Sequence, residues 1–345
     1  MDTWTRRLPG LLITLASAGL AFALWWATKS RVSISPLLWA FVLSILATNL
    51  IPVRERYQPG IGFASSVLLK IAVASLGILV SAAVWWRLGG LGLAATLINL
   101  LFAAIVGLVV CKYLLKLGDG LSVLIAVGTS ICGASAIAAT APAIGAEDEE
   151  IGVSLAVVTL FGLVAMFLYP YLFSFTGLGA WLHHDIGAFG LWSGIGIHET
   201  AQVIACSSQI DGALEMAMLA KSIRIFMIGP MVILAVLYLR RQGRSLDRQR
   251  ISIPWFALVF ILFTLVHAGL EALFGEAWTT FSTDVLKPPI TFLLTWAFAA
   301  VGFKVKFRQL VSIGAKAFVG GLFMAALSGG TALLLTKYLW CALSR

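Results

Sequence analysis

Charge is what this sequence has least of. Asp, Glu, Lys and Arg make up 11% of its 345 residues, where soluble domains carry about 25%. So few charges cannot cover a water-facing surface, which excludes an ordinary soluble globular protein. Acid is the scarcer sign, with 15 Asp and Glu against 24 Lys and Arg, a formal net charge of +9. Cysteine is sparse as well. Cys111, Cys132, Cys206 and Cys341 lie apart, without CxxC spacing, within or beside apolar runs. A disulfide framework or zinc site is therefore not expected. The alternation of a membrane barrel is missing, so strands are not expected either. There is no nucleotide-binding loop. A metalloprotease motif fails at Gln202, where HExxH needs a second histidine after His198 and Glu199. No cofactor and no metal are expected.

What is abundant is apolar residue, 60% of the chain. It is gathered in eleven blocks, approximately 8–27, 36–52, 60–83, 91–111, 120–142, 151–174, 186–207, 213–239, 253–273, 285–303 and 311–339. Each is about the 20 residues that cross a bilayer as helix. The reading is an all-α polytopic membrane protein with about 11 transmembrane helices, a single transmembrane domain over 1–345. The first block follows Arg6 and Arg7 and runs past Ala21 and Ala23 through Trp25 and Trp26. That is longer than a signal-peptide core, so it is read as a retained, peripheral first helix. The longest polar stretch, Arg240 to Ser252, is a loop rather than a domain. Its arginines are an orientation signal that could also touch anionic lipid.

Basic residues set the orientation. With the N-terminus inside and each block crossing once, the inside segments hold Arg6, Arg7, Arg54, Arg56, Lys112, Lys116, Arg240, Arg241, Arg244, Arg248, Arg250, Lys304, Lys306 and Arg308. The outside segments hold only Lys29, Arg31, Arg87, Lys287, Lys337 and Arg345. Basic residues thus serve topology, and no nucleic-acid partner is expected. Blocks 5 and 7 must both cross or both re-enter, because changing one alone would move the arginine-rich loop outside. If both cross, the acidic cluster Glu147, Asp148, Glu149, Glu150 falls outside.

Two blocks break the apolar pattern. Block 5 carries Gly128, Thr129, Ser130, Cys132, Gly133 and Ser135 within eight residues. Glycine weakens helix, and hydroxyls can satisfy backbone groups that a break releases. A broken helix leaves free N–H groups and a positive end, which suit an anion. Close helix packing through small residues would use the same composition. Block 7 carries His198, Glu199 and Gln202. A charge at such depth costs about 2.5–3.5 kcal/mol and persists where it faces a cavity or a partner. His198 titrates near neutral pH, so with Glu199 it could carry a coupled proton, while Gln202 could bind substrate or hold the break.

Block 8 contributes Lys221 and Arg224, which share a helix face. Two buried cations need a counterion, either Glu199 or a substrate; the guanidinium fork suits an oxyanion. Snorkelling toward the interface is the alternative. Lys70 reads as a third buried cation, and Asn49 as a hydrogen-bonding residue between helices. His183, His184 and Asp185 read as a solvated loop, and His267 with Glu271 as a structural pair. Blocks 5–6 and 7–8 show a loose parallel, a polar break followed by a helix ending near Pro170 or Pro230, as repeats of secondary transporters do.

Four runs carry a family resemblance: Gly128 to Ile137, His198 to Val203, Lys221 to Arg224 with Pro230, and Ile253 to Phe256. In order and spacing they resemble the YeiH-type sulfate exporter family of bacterial inner-membrane proteins, over nearly the whole chain. Lys70 departs from the arginine of the family's Leu-Leu-Arg run, keeping charge but losing the bidentate fork. The family is grouped with the cation:proton antiporter and anion transporter superfamily. The resemblance implies a multi-pass inner-membrane protein with inverted repeats, a mobile core against a scaffold, and two broken helices (segments 120–142 and 186–207) crossing at mid-membrane.

The expected function is a secondary exporter of a small anion such as sulfate, with proton coupling by antiport, and not an enzyme. Gly128, Thr129, Ser130, Cys132, Gly133, Ser135, Gln202, Lys221 and Arg224 would bind substrate. His198 and Glu199 would couple protons, with Lys70 and Asn49 as further candidates. The expected partners are the anion, membrane lipid and, as in many transporters of this type, a second copy of the chain. An anion channel is one alternative. An intramembrane enzyme using Cys132 or Ser130 with His198 is another.

Overall fold

The structure is a computed structural model and describes residues 3–29, 35–51, 53–242, 255–308 and 314–342. Arg31, Arg244, Arg248, Arg250, Ile253, Pro254 and Arg345 lie outside the described residues. Among the described residues every regular element is helical. The chain forms two compact units, each built from discontinuous stretches. Unit 1 comprises Met1–Ala83 and Trp255–Arg308; unit 2 comprises Val84–Pro254 and Gln309–Arg345.

Unit 1 contains α1 (Thr3–Thr28), α2 (Pro36–Leu50), α3 (Glu55–Leu79), and the helices designated α12 (Trp255–Phe274) and α13 (Glu276–Lys304). α1 buries Thr14, Ala18 and Ala21, and Trp296 Nε1 donates to Thr14 Oγ1 at 2.9 Å. Asn49 ties α2 to the end of α13. Its Nδ2 donates to Ile45 O and Val305 O, both at 2.8 Å, and its Oδ1 accepts from Phe307 N at 2.8 Å. Ring and carboxylate of the His267–Glu271 pair are also used inside unit 1. His267 Nδ1 is 2.6 Å from Ile78 O, and Glu271 Oε2 accepts from Ala82 N at 3.2 Å. Lys70 is not a buried cation as read from sequence; it is partly exposed on α3.

Unit 2 opens with most of α4 (Ala82–Leu114), which leaves helical geometry once, at Gly89. Then come α5 (Asp119–Ser130), α6 (Ala134–Ile144), α7 (Asp148–Phe175), the short α8 (Gly177–Trp181), α9 (Ile186–Gly196), α10 (Thr200–Ser207), α11 (Ala213–Arg241) and α14 (Ala315–Cys341). Both polar segments are broken, at Ile131–Gly133 and at Ile197–Glu199, as the glycines and buried polar groups predicted.

Neither broken segment crosses. Leu121, at the start of α5, donates its N–H to Glu150 Oε1 at 3.0 Å, at the start of α7. Further along, Gly128 packs on Val158 and on Ile137 of α6. So α5 and α7 run in parallel, and α6 returns the chain to the end where α5 began. The second segment repeats this from the other end. Gly212, just before α11, lies beside Ile186 at the start of α9. A Cβ on Gly190 would lie 2.6 Å from Ala213 O, and one on Gly194 would lie 2.5 Å from Ala217 O. α9 and α11 therefore run in parallel at near backbone contact, and α10 leads back along α7. Gln202 and Gln209 of this return bond Thr159 O and Met166 O of α7, at 3.0 and 3.4 Å.

The eleven apolar blocks thus resolve into two re-entrant hairpins, eight helices long and apolar enough to cross a membrane among the described residues, and the shorter α2. The reading of about 11 transmembrane helices is corrected in this respect. Both hairpins re-enter, so the basic-residue asymmetry is unchanged, but the acidic cluster changes sides. Glu150 shares an end of unit 2 with Lys112, which pairs with Asp119 at 3.1 Å and lies over the Tyr238 ring. The opposite end holds Arg87 paired with Asp185 at 2.6 Å, and Lys337 beside His183 at 2.9 Å. The His183–Asp185 loop is thus engaged rather than merely solvated.

This topology has a direct test. In a background lacking the four native cysteines, Glu149→Cys should react with a membrane-impermeant thiol reagent only from the cytoplasmic side. Gly177→Cys should react only from the opposite side. Crossing segments would exchange the two labels.

Candidate functional site

The two hairpins enter unit 2 from opposite ends and meet at their tips. At each tip a helix ends and another begins, so main-chain carbonyls and main-chain amides without intrahelical partners lie side by side. How these groups are satisfied decides what the tips can bind.

The carbonyl ends are covered from inside the protein. Lys221 and Arg224 on α11 are fully buried. Lys221 Nζ donates to Ile131 O of the first tip at 2.9 Å, and to Ile197 O at 2.8 Å and His198 O of the second. Arg224 donates through Nε to Ser130 O at 3.0 Å and through its Nη2 nitrogen to Thr129 O at 2.9 Å. Its other terminal nitrogen donates to Ile195 O, to Ile197 O at 3.2 Å and more weakly to Gly194 O at 3.4 Å. The planar fork reaches both tips at once and serves more carbonyls than the three N–H donors of a lysine could. Asn99 of α4 adds a bond to Ile195 O at 2.9 Å, and Ser328 Oγ of α14 lies 3.5 Å from Gly196 O.

This corrects the sequence reading of Lys221 and Arg224. They neither snorkel nor hold their donors free for an anion. They cap the negative ends of α5 and α9 and pin the two tips together.

The amide ends differ from each other. At α10, Glu199 is the N-cap. It forms a reciprocal capping box with Gln202, whose Oε1 accepts from Glu199 N at 3.3 Å. Thr159 Oγ1 of α7 donates to Glu199 Oε1 at 3.1 Å. Gln202, 2% exposed, is thereby used in holding the break. It fits only because Gly162 of α7 has no side chain, since a Cβ there would lie 1.7 Å from Gln202 Oε1. At α6 the N-cap is Gly133, with φ +69° and no side-chain cap. The next two residues, Ala134 and Ser135, are exposed. Gly133 faces Glu199, whose Cγ would be 2.3 Å from a Cβ at that position.

The predicted ligand set therefore divides. Thr129 Oγ1 bonds Ile125 O at 2.7 Å, and Ser130 Oγ bonds Val127 O at 3.3 Å, so both hydroxyls turn back onto their own helix. Gly128 and Cys132 are buried in packing. Gly133 N donates to Gly128 O at 2.9 Å, so the open amide end is that of Ala134 and Ser135. His198 Nδ1 is 3.1 Å from Thr129 O and so carries the proton, while its Nε2 is buried without a hydrogen-bond partner. No hydrogen bond joins the His198 ring to Ser130, whose hydroxyl bonds Val127 O. Lys70 and Asn49 belong to unit 1.

The sequence reading missed Asn99, Thr159, Gly162 and Ser328. Asn99 had a signal, an amide in an otherwise apolar block. Gly162 and Ser328 had none, since small residues in a membrane helix are common.

The family described as Conserved hypothetical protein 698 matches residues 9–321, a span that contains both hairpins with Lys221 and Arg224. A UPF0324 membrane protein of Pseudomonas aeruginosa is 33% identical over 325 residues, 90% of this chain and 88% of that protein. This chain belongs to the UPF0324 family. A UPF0324 membrane protein of Yersinia pestis is 31% identical over 343 residues, 95% and 92% of the two chains. One of Staphylococcus epidermidis is 27% identical over 311 residues, 89% and 90%. These UPF0324 relatives agree with the YeiH-type resemblance carried by the four sequence runs. They are bacterial membrane proteins, and this UPF0324 chain is a multi-pass bacterial membrane protein. No solved structure matches it.

Proposed function

We propose that this protein is a secondary transporter that moves a small anion across the bacterial membrane by alternating access. One observation supports this most. The first hairpin tip offers uncapped amides at Ala134 and Ser135, where the neighbouring carbonyl ends are already covered by Lys221 and Arg224. In a bare hairpin tip the positive and negative helix ends would largely cancel. Here the negative ends are neutralised internally, so what remains exposed at α6 is positive and suits an anion. Sites between broken helices are the usual binding places of secondary carriers.

Two buried cations face one carboxylate, Glu199, at the tips. The excess of positive charge suits a monoanion. A dianion such as sulfate would be balanced better with a proton on Glu199 or His198, which is the reason to place proton coupling on these residues. Sulfate as substrate and export as direction are the finer part of the proposal and come from the YeiH-type resemblance. Transport is favoured over intramembrane catalysis because the Ser130 hydroxyl bonds Val127 O and no hydrogen bond joins it to the His198 ring.

The test is uptake by proteoliposomes of the purified chain. Labelled sulfate should enter saturably, respond to a pH gradient and be competed by small organic sulfonates. Electrical recordings with many ions per opening would instead indicate a channel, and absence of any anion flux would refute the reading.

A further inference from the structure

The anion reading needs Lys221 to neutralise carbonyl ends, but it does not require the particular coordination that this side chain has. Its Nζ sits between three main-chain carbonyl oxygens contributed by two different hairpin tips, Ile131 O at 2.9 Å, Ile197 O at 2.8 Å and His198 O. An ammonium has three N–H donors and each has an acceptor here. The side chain is completely buried. The oxygens belong to the chain just past the C-terminal ends of α5 and α9, the negative ends of two half-helices. Unwound carbonyls and half-helix C-termini are what carriers use to coordinate a coupling cation at a broken-helix junction. The lysine reaches that position on its own stem from α11.

We propose that the junction of the two hairpin tips is a monovalent-cation site, permanently filled by the Lys221 ammonium. The tethered charge does what a bound sodium or ammonium ion would otherwise do. It holds the two tips together and neutralises their carbonyl ends, so the protein works without binding an inorganic cation. Arg224, one turn along α11, covers Thr129, Ser130, Gly194, Ile195 and Ile197 and leaves the Ile131 and His198 oxygens to the lysine. The inference concerns how the tips are held and stands apart from the identity of any transported anion.

The experiment reads the stability of the full chain in detergent, so it does not depend on transport. Thermal unfolding is followed in choline, sodium, potassium and ammonium chloride at equal ionic strength. The wild-type midpoint should agree in all of them to within about 1 °C, because its site is filled. Lys221→Ala should unfold earlier in choline and recover by about 3 °C or more in ammonium or sodium, whose ions can enter the vacated carbonyl site. Lys221→Met, which fills the space with apolar atoms, should be destabilised and unresponsive to any salt. The proposal is overturned if Lys221→Ala has one midpoint in every salt, or fails to fold in every salt. It is equally overturned if Lys221→Met matches the wild type in choline, or if the wild type is itself stabilised by sodium. Loss of anion uptake in the wild type would count against the transporter reading alone.

Discussion

Arg224→Ala is expected to cost the protein about 4 kcal/mol of stability, among the largest losses from any single side chain in the hairpin tips. Of the five carbonyls it reaches, Thr129 O keeps His198 Nδ1, Ile195 O keeps Asn99 and Ile197 O keeps Lys221. Ser130 O and Gly194 O lose the donors that Arg224 supplies. An orphaned buried acceptor costs about 1–3 kcal/mol, and a dry membrane interior offers no water to replace the donor. The cavity left by a large, fully buried side chain adds to this. Arg224→Lys should recover only part of the loss, because the three N–H donors of an ammonium cannot serve all the carbonyls that the guanidinium reaches. Chemical or thermal unfolding in detergent measures both variants. If Arg224→Ala were as stable as the wild type, the guanidinium would not be what joins the tips.

The second large effect is on transport rather than folding. Ser135→Asp should leave the protein folded and reduce anion uptake at least about 100-fold. Ser135 is the second residue of α6 and is exposed. A carboxylate in the first turn of a helix is stabilising by about 0.3–1 kcal/mol, so the fold should tolerate it. The same carboxylate would occupy the positive helix end that the anion needs. Two like charges about 4 Å apart near a protein surface repel by about 4 kcal/mol, more than enough for a 100-fold loss. Ser135→Asn, neutral and of similar size, should transport within a few-fold of wild type. Normal uptake by Ser135→Asp would show that the amide end of α6 does not bind the anion, and the proposed function would lose its main support.

Much of the site could be read before any coordinates. The polar cluster at 128–135 and the charged cluster at 198–202 stand out because transfer of such groups into lipid is unfavourable. They do mark the two breaks. The buried cations are legible for the same reason, and Lys221 and Arg224 do meet those breaks. What they do there was not legible. A cation in a membrane sequence signals a nearby negative partner, but a carbonyl at a helix end and an anionic substrate satisfy that demand equally well. Only the distances separate them. The hydroxyls of Thr129 and Ser130 show the same ambiguity, since bonding a ligand and bonding back to the preceding turn need the same residue type.

By itself the sequence determined that the chain lives in lipid, roughly where its helices lie and where two helices must break. These follow from local composition, because the cost of burying charge and the periodicity of helix are properties of short stretches. The tertiary structure alone decided that each broken segment turns back instead of crossing, and that the tips are joined by Lys221 and Arg224. A break frees the chain to change direction but does not set the angle. That is set by distant packing, by Gly190 and Gly194 letting α9 lie against the backbone of α11, and by Gly128 resting on Val158.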